Sequence, residues 1–178
     1  KDQLVVISPN SELVASARKF QKEFSKAFGG TADIKMATFY SSNPGAGPTT
    51  EIDKLSLLTD GSNKVALDGA DVIIVDDLVD SAGTVCKLAD RLKASGASHV
   101  YVCASHGIFS NDGMRKIDQS KIDKVVLTNT LPLPDDPSDK VVQISIGPML
   151  ADVILAEHYR QQNYDDDDIS EQVRAEDF

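Results

Sequence analysis

Val72-Ile73-Ile74-Val75-Asp76-Asp77-Leu78-Val79-Asp80-Ser81-Ala82-Gly83-Thr84 decides the reading of this chain. Val72–Val75 is apolar on four consecutive residues, which a strand with one wet face does not need. It reads as part of a central strand, Asp71–Asp77, covered on both sides and ending in acids. A short loop follows, with a third carboxylate at Asp80, small residues at Ser81 and Ala82, and Gly83. A helix starts at once; Val85, Leu88 and Leu92 form its apolar face and Gly96 closes it.

Outward from this unit the pattern repeats. Gln3–Ile7 is apolar and β-branched, and Ser8-Pro9-Asn10 ends it as a turn. Ser11 is expected to cap a helix to about Phe28, with Leu13, Ala17, Phe20, Phe24 and Phe28 at helical spacing and Gly29-Gly30 as its stop. Strands are expected at Ile34–Phe39, Val100–Ala104, Lys124–Thr128 and Val141–Ser145. A short helix is expected at Asn111–Ile117, and a last one at Met149–Tyr159 with Leu150, Val153 and Ile154 facing inward. Strands alternating with helices imply an α/β fold with a mostly parallel sheet flanked by helices. Residues 1–162 are expected to form one domain. Residues 163–178 form an acidic tail whose polarity predicts mobility.

Charge and composition narrow the function. The 178 residues carry a net charge of −10, which repels a phosphate backbone and argues against nucleic acid as a partner. Apolar runs are too short to span a membrane, and residues 1–7 read as the approach to a strand, so a secretory segment is not expected there. Cys86 and Cys103 form neither a CxxC pair nor a disulfide framework, so a reducing, cytoplasmic setting is expected.

A negative chain can still hold a phosphorylated small molecule through backbone N–H groups. Ala82 and Gly83 let the backbone approach closely, and the following helix N-terminus adds unpaired donors and a partial positive charge. Ser81 and Thr84 add hydroxyls. Asp76 and Asp77 are placed to accept hydrogen bonds from vicinal sugar hydroxyls, or to help hold a hydrated Mg²⁺ through water or substrate. Because carboxylates repel phosphate, the acids should face the sugar and the amides the phosphate. The plain alternative is an acidic strand end before a helix capped by Asp80 or Ser81.

These thirteen residues resemble the phosphoribosyl-binding loop of type I phosphoribosyltransferases and phosphoribosyl pyrophosphate synthetases. Further segments are similar to the synthetases in particular: Leu4–Pro9, Arg18, Ala104–Ser110 (ASHGIFS), Val125–Pro132 (VVLTNTLP) and Ile144–Asp152 (ISIGPMLAD). The resemblance runs from about Leu4 to Tyr159 and implies a type I phosphoribosyltransferase-like fold. It implies the C-terminal half of a ribose-phosphate pyrophosphokinase, which transfers diphosphate from ATP to ribose 5-phosphate, with Mg²⁺, in nucleotide biosynthesis. Asp80, Ser81, Ala82, Gly83 and Thr84 would hold the 5-phosphate, and Asp76 and Asp77 the ribose hydroxyls. Self-association, or association with synthetase subunits, is implied too.

The chain also departs from the family. Where the family carries a basic catalytic stretch, Thr38-Phe39-Tyr40-Ser41-Ser42 has no Lys or Arg; the nearest bases are Lys35 and Lys54. The turn after the first strand reads Asn10-Ser11-Glu12-Leu13. No catalytic residue is assigned. A non-catalytic regulatory subunit of the synthetase, or a phosphoribosyltransferase, stand as alternatives. The Ser41–Thr50 loop reads as a lid or a surface insertion, and Asp165–Asp168 as a solvated charge run. His106, on the expected ligand side, reads either as a substrate contact or, as expected here, as bonding nearby backbone; His99 and His158 are expected to lie at the surface, and both cysteines to pack.

Overall fold

Val5, Val6 and Ile7 are successive, so they face alternate sides of a strand. All three are fully buried in the computed structural model of the protein. A strand buried on both faces needs cover on both. The structure describes residues 3–30, 34–40, 54–56 and 65–160. Among them the order is β1 (Leu4–Ser8), α1 (Val14–Ala27), β2 (Lys35–Tyr40), β3 (Lys54–Ser56), β4 (Asp71–Val79), α2 (Gly83–Ala94), β5 (His99–Gly107), α3 (Gly113–Gln119), β6 (Lys124–Thr128) and β7 (Val141–Ile144). The described strands form one sheet in the order β3-β2-β1-β4-β5-β6-β7. Every neighbouring pair is parallel except β2 and β3.

Alternation divides the apolar residues of β4 between two clusters. Val72 and Ile74 join Val5 and Ile7 on one face, beneath Val85, Leu88 and Leu92 of α2 and Ile117 of α3. Ile73 and Val75 join Val6 on the other, where Ala17, Phe20 and Phe24 of α1 cover them. Phe20 and Phe24 lie one helical turn apart and stack with ring centroids 5.4 Å apart. Phe28, expected to continue that row, is exposed.

Element ends depart from expectation. β4 runs on through Leu78 and Val79, which pair with His106 and Gly107 of a longer β5. β3 was not foreseen. The helix begins at Val14, and its cap is not Ser11. Asn10 Oδ1 accepts the N–H groups of Glu12 at 2.9 Å and Leu13 at 3.0 Å. These bonds fix the turn that leads into α1; the residue before the helix is Leu13, and no side chain caps it. Asn10→Ala removes this acceptor and should therefore cost about 1 kcal/mol and lower the melting temperature by about 3 °C. An unchanged melting curve would show that this contact does not secure α1.

A second unit begins at Ser145. Its described residues include one helix, 147–160. Leu150, Val153 and Ile154 are exposed there rather than turned inward, because the described part of that unit offers no second layer. No helix among the described residues is long and apolar enough to cross a membrane. The Ser41–Thr50 loop, Asp165–Asp168 and the 163–178 tail lie outside the described residues.

Candidate sugar-phosphate site

β1 lies between β2 and β4, so the chain builds the sheet in opposite directions from it. Where strand order reverses, the loops leaving the carboxyl ends part and open a crevice. A cavity of about 190 Å³ occupies this place, lined by residues 78–85 together with Pro9, Asn10 and Asp76. Pro9 and Asn10 follow β1; the rest belong to the end of β4 and the start of α2.

The turn after β1 is held from below. Ser8 Oγ donates to the Asn10 carbonyl at 2.6 Å. Thr38 Oγ1, from the end of β2, lies 3.2 Å from the same carbonyl and 3.3 Å from that of Ser8. Ser8 and Thr38 are both buried and both satisfied.

The wall after β4 is a loop of exposed donors. Ala82 precedes α2 with φ 59° and ψ 0°, the left-handed conformation, and offers no side-chain cap. Neither Asp80 nor Ser81 caps α2 by its side chain. The N–H groups of Ser81, Ala82, Gly83 and Thr84 donate no hydrogen bond to another described residue. A left-handed residue leading into a right-handed helix turns successive N–H groups toward one concavity, which suits an anion. Asp80, whose charge opposes an anion, is engaged elsewhere: Ser110 Oγ donates to its carboxylate.

The two acids at the end of β4 differ. Asp76 is half-buried and lines the cavity; Asp77 is exposed and is not part of the wall. Burial pushes the Asp76 carboxyl up to about 6, and the adjacent Asp77 carboxyl pushes the same way. The Asp77 N–H, 2.9 Å from Asp76 Oδ1, partly opposes this.

This shift has a consequence for stability. The folded chain holds the Asp76 proton more tightly than the unfolded chain does, so ionisation opposes folding. This contribution is greatest at low pH and falls as pH rises from about 4 to about 6. Asp76→Asn should remove the penalty. Solvent screening of a half-buried group leaves roughly 1 kcal/mol. The variant should therefore melt about 3 °C above the parent near pH 7.5 and level with it near pH 4. An equal difference at both pH values would assign the effect to something other than this proton.

The family model described as the phosphoribosyl synthetase-associated domain matches residues 51–164, more than half of the chain. The chain belongs to this family. It is 33% identical over 158 residues to the ribose-phosphate pyrophosphokinase of Listeria ivanovii, covering 88% of this chain and 44% of that one. It is 32% identical over 171 residues to the ribose-phosphate pyrophosphokinase of Clostridium perfringens (strain 13 / Type A), covering 96% and 46%. The crystal structure of phosphoribosylpyrophosphate synthetase from Mycobacterium smegmatis superposes with a TM-score of 0.67 at 25% identity, covering 89% of this chain and 46% of that one. The chain thus spans about half the length of the curated relatives it matches. The mostly parallel sheet flanked by helices agrees with this membership.

Within this phosphoribosyl synthetase-associated domain the structure places the remaining candidates. Asp80, Ser81, Ala82, Gly83 and Thr84 all line the cavity with Asp76. His106 does not bond backbone as expected: its Nδ1 is 2.7 Å from Thr130 Oγ1. Thr128 Oγ1, which donates to the Ser105 carbonyl at 2.6 Å, is 3.1 Å from the same Thr130 hydroxyl. His99 is exposed, as expected, and its Nδ1 is 2.7 Å from Asp71 Oδ1. Cys86 and Cys103 are half-buried free thiols packed beside the core. Burial pushes both thiols up, Cys103 to about 11, which suits packing rather than nucleophilic chemistry. Sequence reasoning did not foresee Pro9, Asn10 or Leu78 in the wall, nor Ser110 as the partner of Asp80. The turn signal at Ser8-Pro9-Asn10 was visible, but not its position beside β4.

Proposed function

We propose that this domain binds ribose 5-phosphate in the cavity between the β1 turn and the β4–α2 loop. It would be the acceptor-sugar half of a ribose-phosphate pyrophosphokinase, which transfers diphosphate from ATP to the C1 hydroxyl and yields phosphoribosyl pyrophosphate and AMP. One observation carries the reading. Four successive N–H groups without partners among the described residues surround a left-handed Ala82, in a cavity that also has a carboxylate at its strand end. The phosphate would sit against the amides of residues 81–84 and the positive end of α2, with the Ser81 and Thr84 hydroxyls as further donors. Asp76 would accept from the ribose hydroxyls, with Asp77 beside it. The names of the relatives support the substrate class.

Magnesium fits this donor set only in part. Asp76 and Asp77 are hard oxygen donors, but among the described residues no cluster of three metal-ligating side chains exists. A hydrated ion held by one or two carboxylates and by substrate oxygens matches such a site. When bound, it would neutralise charge on the polyphosphate. In the same reading the domain is cytoplasmic and works within an oligomer or beside synthetase subunits.

One observation favours a second reading, a subunit that binds the sugar phosphate but does not catalyse. Thr38 stands where the family is basic, and its hydroxyl faces the Ser8 and Asn10 carbonyls instead of the cavity's ligand side. AMP release from ATP, ribose 5-phosphate and Mg²⁺ separates the two. AMP formation by the chain, or its stimulation of a full-length ribose-phosphate pyrophosphokinase in a way that Thr84→Ala abolishes, supports the enzyme reading. Ribose 5-phosphate binding without either supports the regulatory one.

A further inference from the structure

The β5–α3 segment presses against the phosphate loop from the side opposite the cavity. Its backbone is held in unusual conformations: Phe109, Asn111 and Asp112 have φ values of 56°, 46° and 61°. Such positions persist only where surrounding contacts hold them. Here the contacts are visible. Phe109 is buried in the core, and the Ile108 N–H donates to the Val79 carbonyl at 2.9 Å.

Two contacts from α3 meet the loop backbone itself. Gly113 approaches so closely that a Cβ there would lie 2.8 Å from the Asp80 carbonyl oxygen. Lys116 Nζ, half-buried, donates to the Ser81 carbonyl at 3.1 Å. Both carbonyls therefore point toward α3. The described peptides are trans, and in a trans peptide the N–H points opposite to the C=O. The N–H groups of Ser81 and Ala82 must then point away from α3, and these are two of the four donors without partners among the described residues.

We propose that Lys116 and Gly113 are positioning residues for the phosphate loop: they orient its carbonyls outward and so aim the Ser81 and Ala82 amides into the cavity. Lys116 would act through the loop and not by touching the ligand. This explains why the half-buried ammonium is directed to a carbonyl on the back of the loop, in a chain whose proposed ligand is an anion. The inference rests on the ribose 5-phosphate reading for its purpose, but its geometry stands on the ligand-free chain.

Amide resonances of the ¹⁵N-labelled chain test it, first without ligand. Lys116→Met should shift the Ala82 amide and speed its hydrogen exchange, while core amides of β4 and β5 keep wild-type positions. Lys116→Arg, which retains a donor, should restore the wild-type peak. Gly113→Ala should shift the Ser81 amide in the same manner. Titrated with ribose 5-phosphate, Lys116→Met should bind about tenfold more weakly, the scale of one lost alignment. Its response to ribose lacking the phosphate should be unchanged. An Ala82 amide that stays at its wild-type position in folded Lys116→Met overturns the inference, as does an equal loss for ribose and ribose 5-phosphate. If the free-chain shifts appear but the wild-type chain ignores ribose 5-phosphate, the positioning role stands and the proposed substrate falls.

Discussion

Ile74→Ala is expected to cost about 4 kcal/mol, within the range for large aliphatic side chains truncated in a packed core. Ile74 is fully buried at the centre of the sheet, paired in register with Ile7 of β1 and Val102 of β5. It belongs to the larger apolar cluster, under α2, among Val5, Ile7, Val72, Val102 and Leu88. Removing it should lower the melting temperature by about 10 °C. Ile73, its neighbour, faces the smaller cluster under α1. Ile73→Ala should cost about 2 kcal/mol, since a thinner layer can relax into the space. Chemical denaturation of the two variants checks the ranking. If Ile73→Ala proves the more damaging, the division of the core between the two faces is wrong.

Ala82→Val is expected to weaken sugar-phosphate binding severely while leaving the chain folded. Ala82 is buried and left-handed at φ 59°. A β-branched side chain in that conformation costs roughly 1–3 kcal/mol. The loop should relieve the strain by rotating, which turns the amides of residues 81–83 away from one another. Loss of two charge-assisted hydrogen bonds would weaken ribose 5-phosphate binding by more than about thirtyfold. Ala82→Gly keeps the left-handed backbone without strain and should bind within about twofold of the parent. Calorimetry on both variants decides. If the Ala82→Val chain binds as tightly as the parent, the left-handed turn does not create the site.

Much of the sheet was legible because its strands are apolar on consecutive residues, a local property. The ends were less so. Asp76 and Asp77 look like the end of a strand, yet the backbone goes on pairing through Leu78 and Val79 because β5 extends beside it. Lys54-Leu55-Ser56 is too short to show any period. Ser11 is a good cap by type, yet α1 starts only at Val14 and has no side-chain cap; Asn10, in the turn held by Ser8 and Thr38, binds the Glu12 and Leu13 amides instead. The loop after β4 could be read because its residues are contiguous. Its surroundings could not: Ser110 and Asp80 are thirty residues apart, and Thr130 and His106 twenty-four. Pro9 and Asn10 enter the wall only through the strand order. The exposed stripe at Leu150, Val153 and Ile154 shows the opposite failure, where helical spacing was correct but inward burial did not follow.

Isothermal titration of the folded chain with ribose 5-phosphate in the presence of Mg²⁺, beside a Ser81→Ala/Thr84→Ala variant, tests the central claim most directly. Saturable binding by the parent, weakened at least tenfold in the variant, is the predicted result. No binding by the folded parent, or equal binding by both, would contradict it, because the loop after β4 would then not be where the sugar phosphate sits.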